Sequence, residues 1–177
     1  EREGIALVTV HGRTTEQKFK GSVRLPGIRE VVQAVDRIPV LGNGDVTDAD
    51  SGLMMMRETG CAGLMIGRGA FSSPWIFRDI WQAQVHGDVL SEPSEAEKIA
   101  IVRRYLGLMI EFRGEHYAMT HIRRRISWFA KKLGPCKPLK EAVRTAPDPA
   151  GVHRALDEFL AGGLRYFPLG EPEHAES

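Results

Sequence analysis

IPVLGNGD, residues 38–45, runs from a wholly apolar stretch into a polar turn with two glycines. Two other segments follow the same plan, IALVTVHGR at residues 5–13 and GLMIGRGA at residues 63–70. Short, almost entirely apolar stretches are typical of parallel strands that are buried on both faces. Helical patterns follow each of them, at about residues 26–35, 48–59 and 74–85, and the second has Thr47 or Asp48 as its expected N-cap and Gly60 at its end. The sequence therefore indicates a β-α-β-α-β-α order and the α/β class.

The spacing of these units indicates part of a TIM (β/α)8 barrel. The predicted strands end at Val10, Gly42 and Ile66, 32 and 24 residues apart. A complete barrel has eight such units and roughly 250 residues, whereas this chain of 177 residues carries about three units. Three parallel strands alone leave two open edges. We therefore expect the C-terminal part of a barrel whose N-terminal half is missing here, with pairing to another chain as the alternative.

Beyond about residue 90 the pattern favours helices alone. SEAE at residues 94–97 is a capping box ahead of apolar residues at helical spacing. Further helices are expected at residues 115–133, after Lys137, and between the cap Asp148 and Gly162. The predicted organisation is a barrel part at 1–88, an all-α helical bundle domain at 89–168 and a flexible tail at 169–177.

Composition narrows the class of protein further. The chain is 42% hydrophobic and 27% charged with a formal net charge of +1, which describes a soluble globular protein. No stretch approaches the roughly 20 apolar residues of a membrane span, and the first four residues lack the features of a secretory signal. Two cysteines make no disulfide framework. We expect a cytoplasmic protein with reduced thiols, no membrane segment and no metal.

The turns after the predicted strands carry the candidate ligand-binding residues. Loops after the last two strands of an α/β barrel commonly bind phosphate, and glycines there allow a close backbone approach. His11, which directly follows the first predicted strand, is suited to bonding a ligand or transferring a proton. The predicted anion site consists of the two turns at residues 42–45 and 67–70, and Arg68 adds a guanidinium able to contact phosphate. Two alternatives remain open: the glycines only make tight turns, and His11 is a core or capping residue.

Four segments carry a resemblance to a known family: VTVHGRT at 8–14, IPVLGNGD at 38–45, MIGRGA at 65–70 and PWIF at 74–77. Together they resemble the tRNA-dihydrouridine synthases, in particular the bacterial DusB/NifR3-like branch. ISWFAKKL at 126–133 is similar to the helical-domain motif of that branch. The resemblance implies an FMN-dependent TIM barrel with a C-terminal helical domain, which reduces uridines of tRNA to 5,6-dihydrouridine with NADPH. It places His11 near the flavin ring and implies that the flavin phosphate and ribityl chain are held by Asn43, Gly44, Asp45, Gly67 and Arg68.

The chain departs from the family at the catalytic acid. In the family, reduced FMN gives a hydride to C6 of the uracil and a cysteine of an earlier barrel loop protonates C5. Cys61 precedes the last predicted strand and Cys136 lies in the helical half, so neither is assigned as this acid. No catalytic residue is therefore assigned. We expect the chain by itself to bind FMN weakly or not at all and to be inactive, because a phosphate subsite alone does not orient a hydride transfer.

A basic segment marks the helical half as the candidate RNA surface. Residues 113–144 contain nine Lys or Arg and two acids, a net charge of +7. At 100° per residue, the cations of its main predicted helix fall on two flanks opposite the apolar stripe. We predict tRNA contacts there for Arg124, Arg125, Trp128, Lys131 and Lys132. The alternative is a solvated charged face with Trp128 packed against the barrel.

Two other functions remain open from the sequence. One is a different FMN- or phosphate-binding barrel that acts on a small metabolite, which would leave the basic helical segment without a purpose. The other is a non-catalytic RNA-binding remnant that keeps the basic helices and has lost the reductase half. Steeply salt-dependent binding of tRNA would separate the synthase from the first alternative.

Overall fold

The chain divides into two compact units, Glu1–Ser91 and Glu92–Ser177, in a computed structural model that describes residues 2–18 and 20–166. Each unit contains its own cluster of buried apolar residues. The tail predicted at residues 169–177 lies outside the described residues.

The first unit is a parallel three-stranded sheet with helices between its strands. Its elements are β1 (Val8–His11), α1 (Leu25–Ala34), β2 (Val40–Asn43), α2 (Ala49–Thr59), β3 (Gly63–Met65), α3 (Gly69–Ser72) and α4 (Ile76–Val85). The strands lie in the order β1-β2-β3, with both neighbouring pairs parallel. The predicted α/β class is confirmed, and this sheet is compatible with part of a TIM barrel.

Two boundaries in this unit differ from the prediction. β1 begins at Val8 because pairing with β2 starts there, opposite Val40, while Ile5 and Leu7 are exposed. The helix expected at residues 74–85 begins at Ile76 as α4, and an additional one-turn helix, α3, precedes it with a break between the two at residues 73–75. Pro74 explains the break, since proline disfavours the α conformation of the residue before it, and Ser73 has φ −139° and ψ 74°.

Local signals at α2 act as the sequence predicts. Of the two candidate caps it is Asp48 that caps α2: its side chain accepts a hydrogen bond from the backbone N–H of Ser51, completing a capping box. Gly60 ends the helix in the left-handed conformation with φ 71°. The core beneath the helices consists of Ile28, Val46, Met55, Cys61, Ile76 and Ile80.

In the second unit the described residues form helices without strands. The elements are α5 (Glu95–Arg113), α6 (Glu115–Phe129), a 3-10 turn (Ala130–Lys132), α7 (Lys137–Thr145) and α8 (Pro149–Leu160). The predicted capping box is present, with Ser94 and Glu97 each bonding the other's backbone N–H. The second predicted helix is shorter than expected, because its last turn tightens into the 3-10 form after Phe129.

The described part of the chain has no helix that is both long and apolar enough to cross a membrane. Within residues 2–18 and 20–166, no three His, Cys, Asp or Glu side chains are grouped so that they could hold a metal ion.

Candidate functional site

The ends of the three strands bring two predicted site residues side by side. His11 and Asn43 are register partners at the carboxyl ends of β1 and β2, and Asn43 is in turn the partner of Met65 on β3. The Asn43 side chain donates a hydrogen bond from Nδ2 to the carbonyl oxygen of Met65 at 2.6 Å. Asn43 therefore ties β2 to β3 at the edge of the sheet where the predicted ligand-binding turns begin.

Two of the glycines in these turns are required by the packing around them, whereas a third leaves open space. Gly44 has φ +114°, and a Cβ atom there would lie 2.4 Å from Cγ1 of Val23 and 3.0 Å from the His11 ring. A Cβ on Gly69 would lie 2.3 Å from the carbonyl oxygen of Val46. These two positions require glycine for the turn itself. Gly67 has no atom within 4 Å of its Cβ position, so its backbone is open to the approach of a ligand.

Arg13 is a member of this site that sequence reasoning missed. Its Nη2 donates to both carboxylate oxygens of Asp45, at 2.8 and 2.7 Å, and also to the carbonyl oxygen of Gly21. The Arg13 side chain is only 2% exposed. Arg13 directly follows His11-Gly12 at the end of β1, and this closeness was the signal available in the sequence.

The charge of Asp45 is fixed by its surroundings. Burial by itself would raise the pKa of Asp45, but hydrogen bonds from Arg13 and from the N–H of Val23, with the charges of Arg13 and Arg68, lower it below the ordinary value. Asp45 is thus an anion whose oxygens are already bonded. A carboxylate in this state repels a phosphate rather than binding it, whereas the nearby exposed Arg68 carries the opposite charge.

A small cavity of about 170 Å³ opens beside the end of β1. Its lining includes His11, Arg13, Thr14, Gln17 and Arg24. The Nη1 atom of Arg13 is buried and has no hydrogen-bond partner among the described residues. The cavity is smaller than the ~300–1,000 Å³ typical of small-molecule pockets, so it has the size of a subsite rather than of a whole cofactor site.

In the second unit, the five predicted RNA-binding residues do not form two matching flanks. α6 ends before Lys131, whose Nζ lies 4.4 Å above the ring of the half-buried Trp128. Lys132 forms an ion pair with Glu92 at 3.5 Å, and Arg125 hydrogen-bonds to Tyr105. Arg124 is exposed. Lys131 therefore associates with Trp128, while Lys132 and Arg125 contact neighbouring elements of the unit.

Some cations of the basic segment have structural contacts. Arg123 donates from Nη2 to the carbonyl oxygen of Ala146, at the end of α7. Arg144 donates to the Ser127 hydroxyl at 2.7 Å and lies 3.9 Å from the carboxylate of Glu141. The net charge of the segment therefore overstates the number of cations that are available to bind a ligand.

Both cysteines are free and buried, and neither lies at the strand-end turns. Cys61 precedes β3 and belongs to the core of the first unit. Cys136 precedes α7 in the second unit, where burial raises the pKa of its thiol. A raised pKa keeps a thiol protonated and weakly reactive at neutral pH.

The first unit defines an α/β protein whose polar turns follow parallel strands. The family described as "Dihydrouridine synthase (Dus)" matches residues 1–161. The chain therefore belongs to the dihydrouridine synthase family, which confirms the resemblance drawn from its motifs.

Similar curated proteins carry matching names. The chain is 40% identical over 143 residues to a probable tRNA-dihydrouridine synthase of Mycobacterium leprae, covering 81% of this chain and 37% of the relative. It is 33% identical over 171 residues to one of Rickettsia conorii, with 97% and 51% covered. It is 34% identical over 165 residues to tRNA-dihydrouridine synthase B of Proteus vulgaris, with 93% and 51% covered. The chain thus spans about half or less of the length of these relatives.

Proposed function

We propose that the chain is part of a flavin-dependent tRNA-dihydrouridine synthase, which reduces uridine of tRNA to 5,6-dihydrouridine with NADPH. The first unit would supply the last βα units of its TIM barrel and the second its helical tRNA-binding domain, divided near residue 88. The observation that supports this most is the meeting of His11, Asn43 and the turn before Arg68 at one edge of the sheet, in a chain of this family.

The residues at this edge fit the phosphate end of FMN. Gly67 leaves its backbone open, and Arg68 adds a guanidinium suited to a bidentate phosphate contact. Asn43 and Gly44 would border the ribityl chain, and His11 would face the flavin ring. When bound, FMN would supply the hydride chemistry between NADPH and the uracil ring.

Asp45 has a different proposed role from the other members of the set. Because its carboxylate accepts hydrogen bonds from Arg13 and from the N–H of Val23, we assign it to hold the turn after β2 against the segment after β1. Asp45 would thereby position Gly44 and His11 without touching the phosphate. Three hydrogen bonds to the carboxylate leave acceptor capacity for a ribityl hydroxyl.

The unit as described would bind FMN weakly and would not turn over. Neither cysteine lies at the strand ends, and the contacts here would hold one end of the cofactor. Orientation of the flavin ring and the acid for C5 would have to come from barrel units outside this chain.

The flavin site is tested by Arg68→Ala in the complete protein, purified without added FMN. The absorbance ratio of flavin to protein should fall well below that of the parent protein, because the phosphate loses its bidentate cation. Arg57→Ala, a change at a surface arginine of α2, is the matched control and should keep its flavin. Flavin retained at full stoichiometry by Arg68→Ala would overturn the assignment.

The RNA site is tested by replacing Arg124 and Lys131 together with alanine in the complete protein. Affinity for a tRNA transcript should fall while the flavin content stays unchanged, because the two cations lie in the other unit. Arg104→Ala, at an exposed arginine of α5, serves as the control. An unchanged tRNA affinity in the double variant would argue against the basic surface.

A further inference from the structure

One face of α6 carries rings and cations in a single row. Tyr117, His121, Arg124 and Trp128 follow one another at spacings of four, three and four residues, and at 100° per residue they lie within about 60° of each other. The opposite face of α6 is buried through Ala118, Met119, Ile122, Ile126 and Phe129. The row therefore lies on the outward side of the helix.

The side chains of this row contact one another. Arg113, the last residue of α5, has its guanidinium carbon 4.3 Å from the centre of the Tyr117 ring. The rings of Tyr117 and His121 are stacked, with centres 4.1 Å apart and an angle of 24° between their planes. At the other end, the ammonium group of Lys131 lies over Trp128. Rings thus hold cations in place at both ends of the row.

The electrostatic surroundings leave this row positive. Residues 116–132, which carry the row from Tyr117 to Lys131, contain no Asp or Glu, whereas the exposed Glu111 and Glu115 flank Arg113 at the α5 end. Acids of neighbouring segments pair with other cations, Glu92 with Lys132 and Glu141 with Arg144. A cationic surface without interspersed acids is the expected footprint of a polyanion.

We propose that this row is a track for the sugar-phosphate backbone of RNA, consisting of Arg113, Tyr117, His121, Arg124, Trp128 and Lys131. The inference rests on the proposed tRNA function and extends its surface by about two turns of α6, from Arg124 back to Tyr117, and on to Arg113 at the end of α5. Within α6 the row spans about 17 Å from Tyr117 to Trp128 at 1.5 Å per residue, enough for a few consecutive phosphates.

The rings act in this track as positioning residues. A guanidinium lying flat on a ring keeps its N–H edge available to a phosphate, while its long side chain is already ordered. Less conformational freedom is then lost when the phosphate binds. Tyr117 thereby increases RNA affinity although it carries no charge.

A charge-neutral pair of variants tests this role in the complete protein. Tyr117→Leu should weaken binding of a tRNA transcript about threefold, the loss expected when one long side chain has to be ordered on binding. The slope of log affinity against log salt should stay unchanged, because no cation is removed. Tyr117→Phe keeps the ring and should bind as the parent does. Equal affinities for the Leu and Phe variants would overturn the positioning role.

Arg113→Ala, at an exposed residue, tests the track without disturbing a buried contact. It should weaken tRNA binding and reduce the salt slope by roughly one, the value for one lost phosphate contact. Arg104→Ala is again the control, and a thermal melt of each variant checks the fold.

The outcomes separate this inference from the proposed function. If Arg113→Ala and Tyr117→Leu bind tRNA normally while the Arg124 and Lys131 double variant does not, the extended track is wrong and the tRNA function stands. If the parent protein itself does not bind tRNA, the proposed function fails. If the row variants change binding of a protein partner while tRNA affinity stays constant, the row is a protein interface and the inference is overturned.

Discussion

The two units of the molecule bury their apolar residues to very different extents. Among the described residues, the helical unit has a connected cluster of eighteen buried residues, whereas the sheet unit has six. Within the described part of the chain, the sheet unit also exposes nine large apolar side chains, Met65, Phe77 and Trp81 among them, whereas the helical unit exposes four. A groove of about 170 Å³ beside β3 is lined by Leu64, Phe77 and Trp81.

The difference shows how the two kinds of structure complete a core. Helices bond within themselves, so a few helices with apolar stripes can close a core locally. A strand with one neighbour leaves a row of backbone groups unpaired at its other edge, and β1 and β3 each have one partner in this sheet. The sheet unit therefore resembles part of a larger sheet, while the helical unit has a core that closes within the unit. Relatives about twice as long agree with this reading of the sheet.

Separate expression of the units would test this contrast most strongly. Residues 92–177 should fold alone and melt cooperatively, because their core closes within the unit. Residues 1–91 should remain largely unfolded or aggregate, since exposed apolar groups and open edges would be uncovered. Circular dichroism and thermal melting measure both. A cooperative transition in the 1–91 fragment would contradict the comparison.

A core truncation should have the next largest effect. Phe159 is fully buried in the helical unit, whereas its neighbour Leu160 is 40% exposed. Phe159→Ala should lower the free energy of unfolding of this unit by about 3–5 kcal/mol, the usual cost of a buried aromatic. Leu160→Ala should cost far less. Denaturant titration of the helical unit gives both values, and similar losses in the two variants would show that its core is not closed.

Helix caps should have smaller and matched effects in the two units. Asp48 caps α2 and Ser94 caps α5 through the same capping-box arrangement. Alanine at either position should cost about 1 kcal/mol of stability. Hydrogen exchange of the first-turn amides reports each helix separately. Strongly unequal losses at the two caps would mean that global packing, rather than local capping, dominates one unit.

The smallest expected effect is the change of stability with pH, which comes from a different carboxylate in each unit. The pKa of Asp45 is lowered in the first unit, and that of Glu95 is lowered in the second mainly by its hydrogen bond from Arg165. Each carboxylate therefore stabilises its unit above its ordinary pKa, and this contribution is lost as pH falls through the lowered one. Both side chains are more than a third exposed, so each contributes at most about 1 kcal/mol.

Two single substitutions show which carboxylate causes the loss of stability at acid pH in each unit. Asp45→Asn should flatten the stability of the first unit below about pH 4, and Glu95→Gln should do the same in the second. Melting temperatures of the complete protein and of each variant from pH 2 to 7 measure the effect. If Asp45→Asn left the acid-dependent loss of its unit intact, the ion pair with Arg13 would not be its source.

Much of the fold could be predicted from local patterns. The apolar segments before Gly42 and Ile66, the cap at Asp48 and the capping box at Ser94 are encoded in a few neighbouring residues, and the structure has each near its predicted place. The break at Pro74 and the 3-10 turn after Phe129 depend on the geometry of one turn, which periodicity alone does not resolve.

The position of the candidate site at the strand ends could be predicted from the sequence, but most of its side-chain contacts could not. The parallel order puts His11 beside Asn43, as the strand ends indicated. The bond of Arg13 to Asp45 joins residues 32 positions apart, and no local pattern reveals such a pairing. For the same reason, contacts of Lys132 with Glu92 and of Arg125 with Tyr105 were not anticipated.

The pairing of Arg13 with Asp45 has a consequence for the history of these two positions. A substitution at either one leaves the other's charge without its counterpart, in the case of Arg13 almost wholly out of water. An intermediate sequence with one change would therefore be selected against. Across related genes, the two codons should be retained together or exchanged together, so that the turns after β1 and β2 evolve as one unit.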